Sequence, residues 1–334
     1  MKIFVTGGGG FLGLAIVEQL VEEGYEVVTY SRGKYEALEK LGVVHHQGNL
    51  SDYKKLKDAL QGCEAVFHVA AKVSISGSYD SFYKVNVAGT QHILKACLEL
   101  NIPHLVYTSS PSVVFDGGSE GKDEGLPYPQ KFDAYYPQTK AIAEQAVLKA
   151  NCPSLVTCAL RPHLIWGPRD HHFLPRFFER RRKDRLRILG SGNSLVDTIF
   201  VENAARAHLQ ALKVMQKNPA AVAGKAYFLS QDEPITIREF IDRLLATSGL
   251  PPVNKTLNPK VALFAGWLLQ NVFRLFNIKS EPPLTLFVAK HLSSSHWYDI
   301  SAAKRDFGYM PLVSIDEGMM RLKEWVEANG LVAP

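Results

Sequence analysis

The stretch VTGGGGFLG, residues 5–13, lies between a short apolar segment, KIFVTG, and a segment with helical spacing, FLGLAIVEQLVEEG. Its glycines fit two patterns that share Gly10 and Gly13, one beginning at Gly7 and the other at Gly8. Both patterns place glycine where the backbone must turn tightly. A pyrophosphate can then approach the backbone at the positive amino end of the helix. Because a strand precedes the glycines and a helix follows them, the stretch predicts dinucleotide binding. The residues expected to make these contacts are Gly7, Gly10, Phe11, Leu12 and Gly13.

Strand-like and helix-like segments alternate through the first half of the chain, from KIFVTG to LVTCALRP. Repeated units of this length predict an α/β fold, a Rossmann-type doubly wound parallel sheet. Beyond about residue 170 the alternation of strand-like and helix-like segments becomes less regular, and helical patterns predominate. We therefore expect an NADP-binding domain over residues 1–170, to which some later segments return. Residues 171–334 would form mainly a smaller, partly helical substrate lobe.

Composition is that of an ordinary globular protein, with 46% hydrophobic and 21% charged residues among 334. The net charge of +5 is too small to indicate nucleic-acid binding. The four cysteines are scattered without a CxxC pair, which argues against a metal site and favours a reducing cytoplasm. The chain enters a strand at once, so no signal peptide of the usual form is expected, and cytoplasmic localisation is the prediction.

The second predicted strand ends VVTYSRGK, residues 27–34, and contains no acidic residue. A carboxylate at this point usually binds the ribose 2′-hydroxyl of NAD. Arg32 can instead pair with a 2′-phosphate, and Ser31 can donate a hydrogen bond to it. The pattern favours NADP(H) as cofactor and leaves NAD(H) open.

The stretch DAYYPQTK, residues 133–140, contains two adjacent tyrosines and one lysine. Residues four apart on a helix share a face, so Lys140 pairs with Tyr136, and Tyr135 faces Thr139 instead. A free phenol titrates near pH ~10, and a neighbouring ammonium together with the positive ring of an oxidised nicotinamide is expected to lower that pKa. Tyr136 can then exchange a proton with a substrate oxygen.

The stretch VYTSSPSVVF, residues 106–115, places serine hydroxyls where a predicted strand ends. Ligands bind at that edge of such sheets, and a hydroxyl there can hold a substrate carbonyl for the tyrosine. Ser110 is the preferred residue for this role, while Ser109 and Ser112 stay open as alternatives.

With the motifs TGGGGFLG, HVAA, NVAGT, YPQTK and LRPHLIWGPRD, the chain resembles the extended short-chain dehydrogenases/reductases. The resemblance implies that Ser110, Tyr136 and Lys140 are catalytic, with Lys140 also bonded to the nicotinamide ribose. It implies a homodimer that pairs through the catalytic helix. It also implies further cofactor contacts at Asn49, Leu50, Ala70, Ala71, Lys72 and Pro162.

Within that family, YTSSPSVVF resembles the 3β-hydroxysteroid and sterol-4α-carboxylate dehydrogenase branch. LRPHLIWGPRDHHFLPR and HWYDISAAKRDFGYMP are most similar to bacterial 2-alkyl-3-oxoalkanoate reductases of long-chain olefin biosynthesis. The implied reaction is reduction of a 2-alkyl-3-oxoalkanoic acid to the 3-hydroxy acid. Oxidation of a 3β-hydroxysteroid or sterol-4α-carboxylate is one alternative, and nucleotide-sugar epimerisation is another. A non-catalytic NADP sensor is disfavoured, because both Tyr136 and Lys140 are kept.

A small hydrophobic carboxylate or a sterol-like molecule is therefore the expected substrate. Lys72 and Arg169 follow predicted strands and are candidates to bind its carboxylate. His163 and Trp166 are candidates for the wall of the substrate site.

The apolar segment 261–276 is too short to span a bilayer and predicts a helix packed on the lobe, or an interfacial helix or lid. The basic segment RFFERRRKDRLR, residues 176–187, predicts a solvated face, or docking to an acidic partner or anionic membrane. Peripheral membrane association or contact with an enzyme complex is thus an open expectation. His171 and His172 lack a third ligand and predict a surface loop rather than a metal site.

Overall fold

A computed structural model describes residues 1–74, 77–171, 173–276, 278 and 280–331. The strands are β1 Lys2–Thr6, β2 Glu26–Ser31, β3 Val44–Gln47, β4 Ala65–His68, β5 His104–Thr108, β6 Ser119–Lys122, β7 Val156–Pro162, β8 Ile165–Trp166, β9 Ile188–Leu189, β10 Leu195–Val196, β11 Ile199–Phe200, β12 Lys225–Leu229, β13 Ile235–Thr236, β14 Thr256–Leu257 and β15 His296–Tyr298. The α-helices are α1 Phe11–Glu22, α2 Glu36–Lys40, α3 Tyr53–Ala59, α4 Tyr79–Phe82, α5 Gly89–Glu99, α6 Tyr135–Lys149, α7 Leu174–Arg182, α8 Val201–Lys217, α9 Ile237–Ala246, α10 Pro259–Leu275, α11 Leu286–Ser293, α12 Ser301–Phe307 and α13 Ile315–Ala328.

Seven parallel strands form the main sheet in the order β3-β2-β1-β4-β5-β7-β12. The strand order reverses between β1 and β4, so the loops that follow these two strands diverge and leave a crevice at their carboxyl ends. The predicted doubly wound parallel sheet is confirmed.

The main sheet is covered on both faces, as its nearly continuous apolar strands require. Along β1, Ile3 and Val5 pack into one core with residues of α1 and α8. Phe4 points to the opposite face and packs into a second core with residues of α3, α5 and α6. This alternation follows from the two-residue period of a strand.

A second, smaller part of the molecule is built around the mixed sheet β13-β10-β15-β6. Its separate core joins Trp166 and Phe200 to residues of α7, α9 and α13. The chain crosses between the two parts in both directions, since β6 enters the smaller sheet and β12 joins the edge of the main one.

Helix α10 packs beside α11 through small residues, with Ala262 and Gly266 as its buried positions. A Cβ atom at Gly266 would lie 2.8 Å from the backbone of Thr285, so the two segments touch closely. The helix thus packs on the C-terminal lobe, in agreement with the first of the two expectations, while its large side chains Phe264, Trp267 and Leu268 stay exposed. No helix among the described residues is both long and apolar enough to cross a bilayer.

Candidate active site

A cavity of about 760 Å³ opens at the carboxyl ends of the main-sheet strands, where the strand order reverses. It is lined by the loops after β1, β2, β3, β4, β5 and β7 and by the start of α6. The predicted residues that it brings together are Gly7, Gly10, Phe11, Leu12, Gly13, Ser31, Arg32, Asn49, Leu50, Ala70, Ala71, Lys72, Ser110, Tyr136, Lys140 and Pro162. One continuous cavity thus contains the expected nucleotide contacts and the expected catalytic residues.

The glycine loop closes tightly at the amino end of α1. Gly7 has a φ of +72°, a conformation that favours glycine, and its carbonyl accepts a hydrogen bond of 2.9 Å from the Gly10 amide. A Cβ atom at Gly13 would lie 2.1 Å from the same carbonyl oxygen, so only glycine fits there. The exposed backbone and the helix terminus together form a cradle suited to a phosphate group.

At the far end of the cavity, β2 ends in polar groups that can face a nucleotide. The Ser31 hydroxyl is buried and has no hydrogen-bond partner among the described residues, while Arg32 is exposed on the cavity rim. Tyr35, which the sequence reasoning missed, also lines this end, and its ring would collide with a Cβ at Gly9. The sequence offers one signal for this role, namely that Tyr35 is an aromatic residue close to the end of the second strand.

Ser110 and Tyr136 both line the cavity. Ser110 follows β5, and its hydroxyl lies near enough to the Tyr136 phenol to act on the pKa of that phenol. Ser112 donates to Ser110 from its hydroxyl, at 2.9 Å, and from its backbone amide, at 3.2 Å. The geometry therefore favours Ser110 among the three candidate serines. Ser109 also lines the cavity with a buried hydroxyl that lacks a partner among the described residues.

Lys140 lies one helical turn beyond Tyr136 on α6 and is almost fully buried. Its ammonium donates a hydrogen bond of 2.6 Å to the Thr108 carbonyl and lies 4.0 Å from the centre of the Tyr107 ring. Burial lowers the pKa of Lys140 to about 7, although the carboxylate of Glu144 opposes this change.

Burial raises the pKa of the Tyr136 phenol to about 12, and the neighbouring Ser110 hydroxyl opposes this change. Without a nicotinamide ring, desolvation of the phenolate therefore outweighs the lowering expected from Lys140. The joint lowering by Lys140 and an oxidised nicotinamide ring stays a prediction. Tyr136 is thus a protonated donor at neutral pH in this environment.

Tyr135 lies outside this cluster, as its spacing predicted. Its ring packs against Tyr79 and Phe82, and the Arg274 guanidinium of α10 lies 5.2 Å from its centre. The residue therefore connects α10 to α6 without lining the cavity.

Lys72 lies in the cavity, on the loop that follows β4. Its ammonium donates a hydrogen bond of 2.9 Å to the Ser81 hydroxyl and lies 4.9 Å from the centre of the Phe82 ring. The buried Asn86 side chain accepts from the Lys72 amide at 2.7 Å and donates to Thr139 of α6 at 3.0 Å. Asn86 lies in a π-helical turn at Tyr83–Ala88 and is the first residue of the NVAGT motif. The sequence reasoning did not predict that its side chain would join the loop after β4 to α6.

His163, Trp166 and Arg169 do not line the cavity, so their assignment to the substrate site is not supported. The buried His163 ring is bonded through Nδ1 to Asp197, and Trp166 donates to Thr198 inside the smaller core. Both terminal nitrogens of Arg169 donate to the Glu18 carboxylate at 2.6 Å.

The neighbouring Leu164, Ile165, Asp170 and Phe173 line the cavity instead. Cavity-lining and core residues follow no regular period along this stretch, and the sequence pattern did not show which side chains would line the cavity.

His171, which was expected in a surface loop rather than in a metal site, is exposed, and His172 lies outside the described residues. In the described part of the chain, no group of three or more His, Cys, Asp or Glu residues could hold a metal ion.

Comparisons with known proteins agree with this geometry. The model of the 3-beta hydroxysteroid dehydrogenase/isomerase family matches residues 4–259. A 2-alkyl-3-oxoalkanoate reductase of Shewanella oneidensis is 49% identical over 329 residues, which cover 96% of this chain and 85% of that protein. A decarboxylating sterol-4-alpha-carboxylate 3-dehydrogenase of Mus musculus is 36% identical over 326 residues, covering 96% and 89% of the two chains.

Among solved structures, MoeE5 in complex with UDP-glucose and NAD superposes with a TM-score of 0.75. It is 21% identical, and the match covers 98% of this chain and 99% of that one. At this identity the likeness shows a shared fold.

Because the pKa of Lys140 is lowered, the unfolded chain binds more protons than the folded protein between about pH 7 and the usual lysine value of about 10.4. Stability contributed by this residue therefore rises with pH across that window and is constant below it. We expect wild type to gain free energy of unfolding relative to Lys140→Met as pH rises above about 7. Urea unfolding of both proteins at several pH values measures this difference, and a flat difference would show that Lys140 is not desolvated.

Proposed function

The chain belongs to the 3-beta hydroxysteroid dehydrogenase/isomerase family of oxidoreductases, and we propose that it uses NADP(H) to reduce a 2-alkyl-3-oxoalkanoic acid to the 2-alkyl-3-hydroxyalkanoic acid. The observation that carries this proposal is that Ser110, Tyr136 and Lys72 line one cavity together with the glycine loop. Identity of 49% to a reductase of that name supports the choice of substrate class.

The residues present fit a nicotinamide dinucleotide. The glycine cradle at the start of α1 suits its pyrophosphate, and the unpaired hydroxyls of Ser31 and Ser109 lie buried against the same cavity. MoeE5, which shares this fold, was solved with NAD. Such a cofactor supplies the hydride that converts a ketone to an alcohol.

Tyr136 is the group that delivers the proton. Its phenol is protonated at neutral pH, and the Ser110 hydroxyl beside it can bind the same substrate oxygen. As the ketone oxygen gains negative charge, the phenol donates its proton to that oxygen. Lys140 stabilises the resulting phenolate by its charge when it is protonated, and a pKa of about 7 keeps a substantial fraction protonated at neutral pH.

A preference for NADP(H) is supported by the end of β2. Residues 27–35 contain no aspartate or glutamate, so no carboxylate of this stretch repels a 2′-phosphate. Arg32 lies on the cavity rim with its exposed side chain, and the Ser31 hydroxyl has an unused hydrogen-bonding capacity among the described residues. Guanidinium groups bind phosphate through charge-assisted hydrogen bonds.

Replacement of Arg32 tests this preference. Arg32→Ala should raise KM for NADPH by about tenfold or more, because a contact of about 1.5–3 kcal/mol is lost, and KM for NADH should change little. Lys34→Ala is the matched control, since this nearby cation does not line the cavity. Steady-state kinetics with both cofactors gives the ratio. Equal use of NADPH and NADH by wild type would contradict the preference.

A 3-oxo acid loses carbon dioxide readily, since an enolate forms at the ketone as the carbon–carbon bond breaks. A reductase must hold the carboxylate ionised until hydride has arrived. Lys72 is our candidate for this role, because it lines the cavity and its ammonium is held by the Ser81 hydroxyl and the Phe82 ring. The second sequence candidate, Arg169, is already engaged by Glu18 and does not line the cavity.

Lys72→Ala should therefore lower kcat/KM for a 2-alkyl-3-oxo acid much more than for a matched ketone without the carboxylate. Loss of a buried charged contact costs about 2–5 kcal/mol, which corresponds to roughly 30-fold or more. Arg169→Ala is the control and should leave the ratio of the two substrates unchanged. A separate KM for NADPH shows whether the variant still binds cofactor.

Two outcomes would overturn the substrate assignment in different ways. An unchanged acid-to-ketone ratio in Lys72→Ala would remove this residue from the substrate site. A wild type that acts on a neutral 3β-hydroxysteroid in preference to the branched acid would favour the sterol dehydrogenase alternative, which the 36% identical mouse relative also supports.

A further inference from the structure

Thr108, the last residue of β5, forms two hydrogen bonds that link distant parts of the molecule. Its carbonyl accepts the 2.6 Å bond from the Lys140 ammonium, and its hydroxyl lies 2.8 Å from Nε2 of His208 in α8. His208 is fully buried and is not among the residues that line the cavity. Any effect that this histidine has on the reaction therefore passes through the residues it contacts.

The two partners of Thr108 come from opposite faces of the main sheet. Along β5, Val106 packs into the core formed with α1 and α8, whereas Tyr107 packs into the core formed with α3, α5 and α6. The two-residue period of a strand therefore directs the Thr108 side chain toward α8. Lys140 of α6 approaches from the other face, where its ammonium also lies 4.0 Å from the centre of the Tyr107 ring. The end of β5 is thus fixed from both sides of the sheet.

The partners of His208 determine which of its ring nitrogens carries the hydrogen. Nδ1 lies 2.7 Å from the Ala204 carbonyl oxygen, which can only accept, so Nδ1 must donate. Nε2 of the neutral ring then accepts from the Thr108 hydroxyl. Burial lowers the pKa of His208 to about 4, so the ring is neutral at neutral pH. The Phe67 ring of β4 packs perpendicular to the imidazole, with 6.1 Å between the ring centres. The Thr108 hydroxyl therefore points in one direction.

The backbone at the end of β5 positions the groups that act on the substrate. The Thr108 carbonyl holds the Lys140 ammonium, and Ser110 lies only two residues farther along the chain. A displacement of Thr108 would therefore move the serine hydroxyl and the ammonium relative to the Tyr136 phenol. In a catalytic site, a displacement of about 1 Å can lower the rate about 10²-fold.

We propose that His208 is a positioning residue for the ketone reduction, acting through its hydrogen bond with Thr108 on the Lys140 ammonium and on Ser110. This inference rests on the proposed function, because its main readout is the rate of that reaction. A neutral imidazole suits the role, since it accepts from a hydroxyl at one nitrogen and donates to a carbonyl at the other. His208 thereby fixes the end of β5 from the face of the sheet that is opposite Lys140.

Replacements of His208 can separate its two hydrogen bonds. Glutamine places an amide oxygen near the position of Nε2 and can still accept from Thr108, whereas asparagine places its amide near Nδ1 and can keep only the bond to Ala204. In reduction of a 2-alkyl-3-oxo acid with saturating NADPH, His208→Asn and His208→Leu should lower kcat by about tenfold or more, while His208→Gln stays within about threefold of wild type.

Met215→Ala is the matched control, because Met215 is buried two turns farther along α8 and its truncation also destabilises the core. It should lower the melting temperature and leave kcat near the wild-type value. Thr108→Val removes the hydroxyl from the other side of the bond and should reduce kcat as His208→Leu does. The double variant should lose little more, since both replacements remove one interaction. Thermal unfolding shows that each variant is folded.

A second measurement needs no substrate. Release of the β5 end would let water reach Lys140 and reduce the lowering of its pKa by burial. The rise in free energy of unfolding above about pH 7 should then be smaller in His208→Leu than in His208→Gln or wild type. His208 itself adds no slope in this window, because above its ordinary pKa of about 6.5 it is neutral in both the folded and the unfolded chain.

The titratable neighbours of Lys140 do not interfere with this measurement. His68 of β4 is neutral there, because burial and the charge of Lys140 lower its pKa to about 3. Burial raises the pKa of Tyr107 well above its ordinary value and that of Tyr136 to about 12. Glu144, which faces Lys140 from the same helix, accepts hydrogen bonds from Arg161.

Three kinetic results would overturn the proposal: a loss of kcat in His208→Gln as large as in His208→Leu, an equal loss in Met215→Ala, or losses in Thr108→Val and His208→Leu that multiply in the double variant. A wild type without activity on any 2-alkyl-3-oxo acid would contradict the proposed function instead. The pH dependence of unfolding then decides the role of His208 alone, and an equal rise in wild type, His208→Gln and His208→Leu would show that it does not act on Lys140.

Discussion

The hydrogen bond from the Lys140 ammonium to the Thr108 carbonyl, 2.6 Å long, joins helix α6 to strand β5 of the main sheet. Ser110 lies two residues beyond Thr108, and Tyr136 lies one turn before Lys140, so this single contact aligns the serine hydroxyl with the phenol. Burial of the ammonium is unfavourable, and the carboxylate of Glu144, one turn farther along α6, partly offsets that penalty. Glu144 is in turn held by Arg161 and Tyr128.

Local spacing explains why much of this arrangement could be predicted. The glycine loop combines a tight turn, a close backbone approach and a helix start, all within residues 5–13, and each has its own sequence signal. The pairing of Tyr136 with Lys140 follows from helix periodicity alone. The sheet order places the end of β5 beside the start of α6, which the repeated strand–helix pattern already implied.

Side-chain direction and distant partners explain what could not be predicted. Arg169 donates hydrogen bonds to Glu18, which lies 151 residues earlier in the chain, and no local sequence pattern predicts that pair. Trp166 packs in the smaller core through β8, which pairs with β11, and His163 contacts His296 of β15, whereas Leu164 between them lines the cavity. For α10, the sequence showed an apolar stripe but did not show which way the stripe would face. The helix packs through its opposite side, where Gly266 allows close contact with the Thr285 backbone.

The central claim is that Tyr136 donates the proton, and replacement of each adjacent tyrosine by phenylalanine tests it most directly. Both substitutions keep the ring, so Tyr135→Phe preserves the contacts with Tyr79 and Arg274 and serves as the control. In NADPH-dependent ketone reduction, Tyr136→Phe should lower kcat by about 10²–10⁴-fold, the loss expected for a positioned proton donor, while Tyr135→Phe keeps most activity. Equal losses in the two variants, or a larger loss in Tyr135→Phe, would contradict the account.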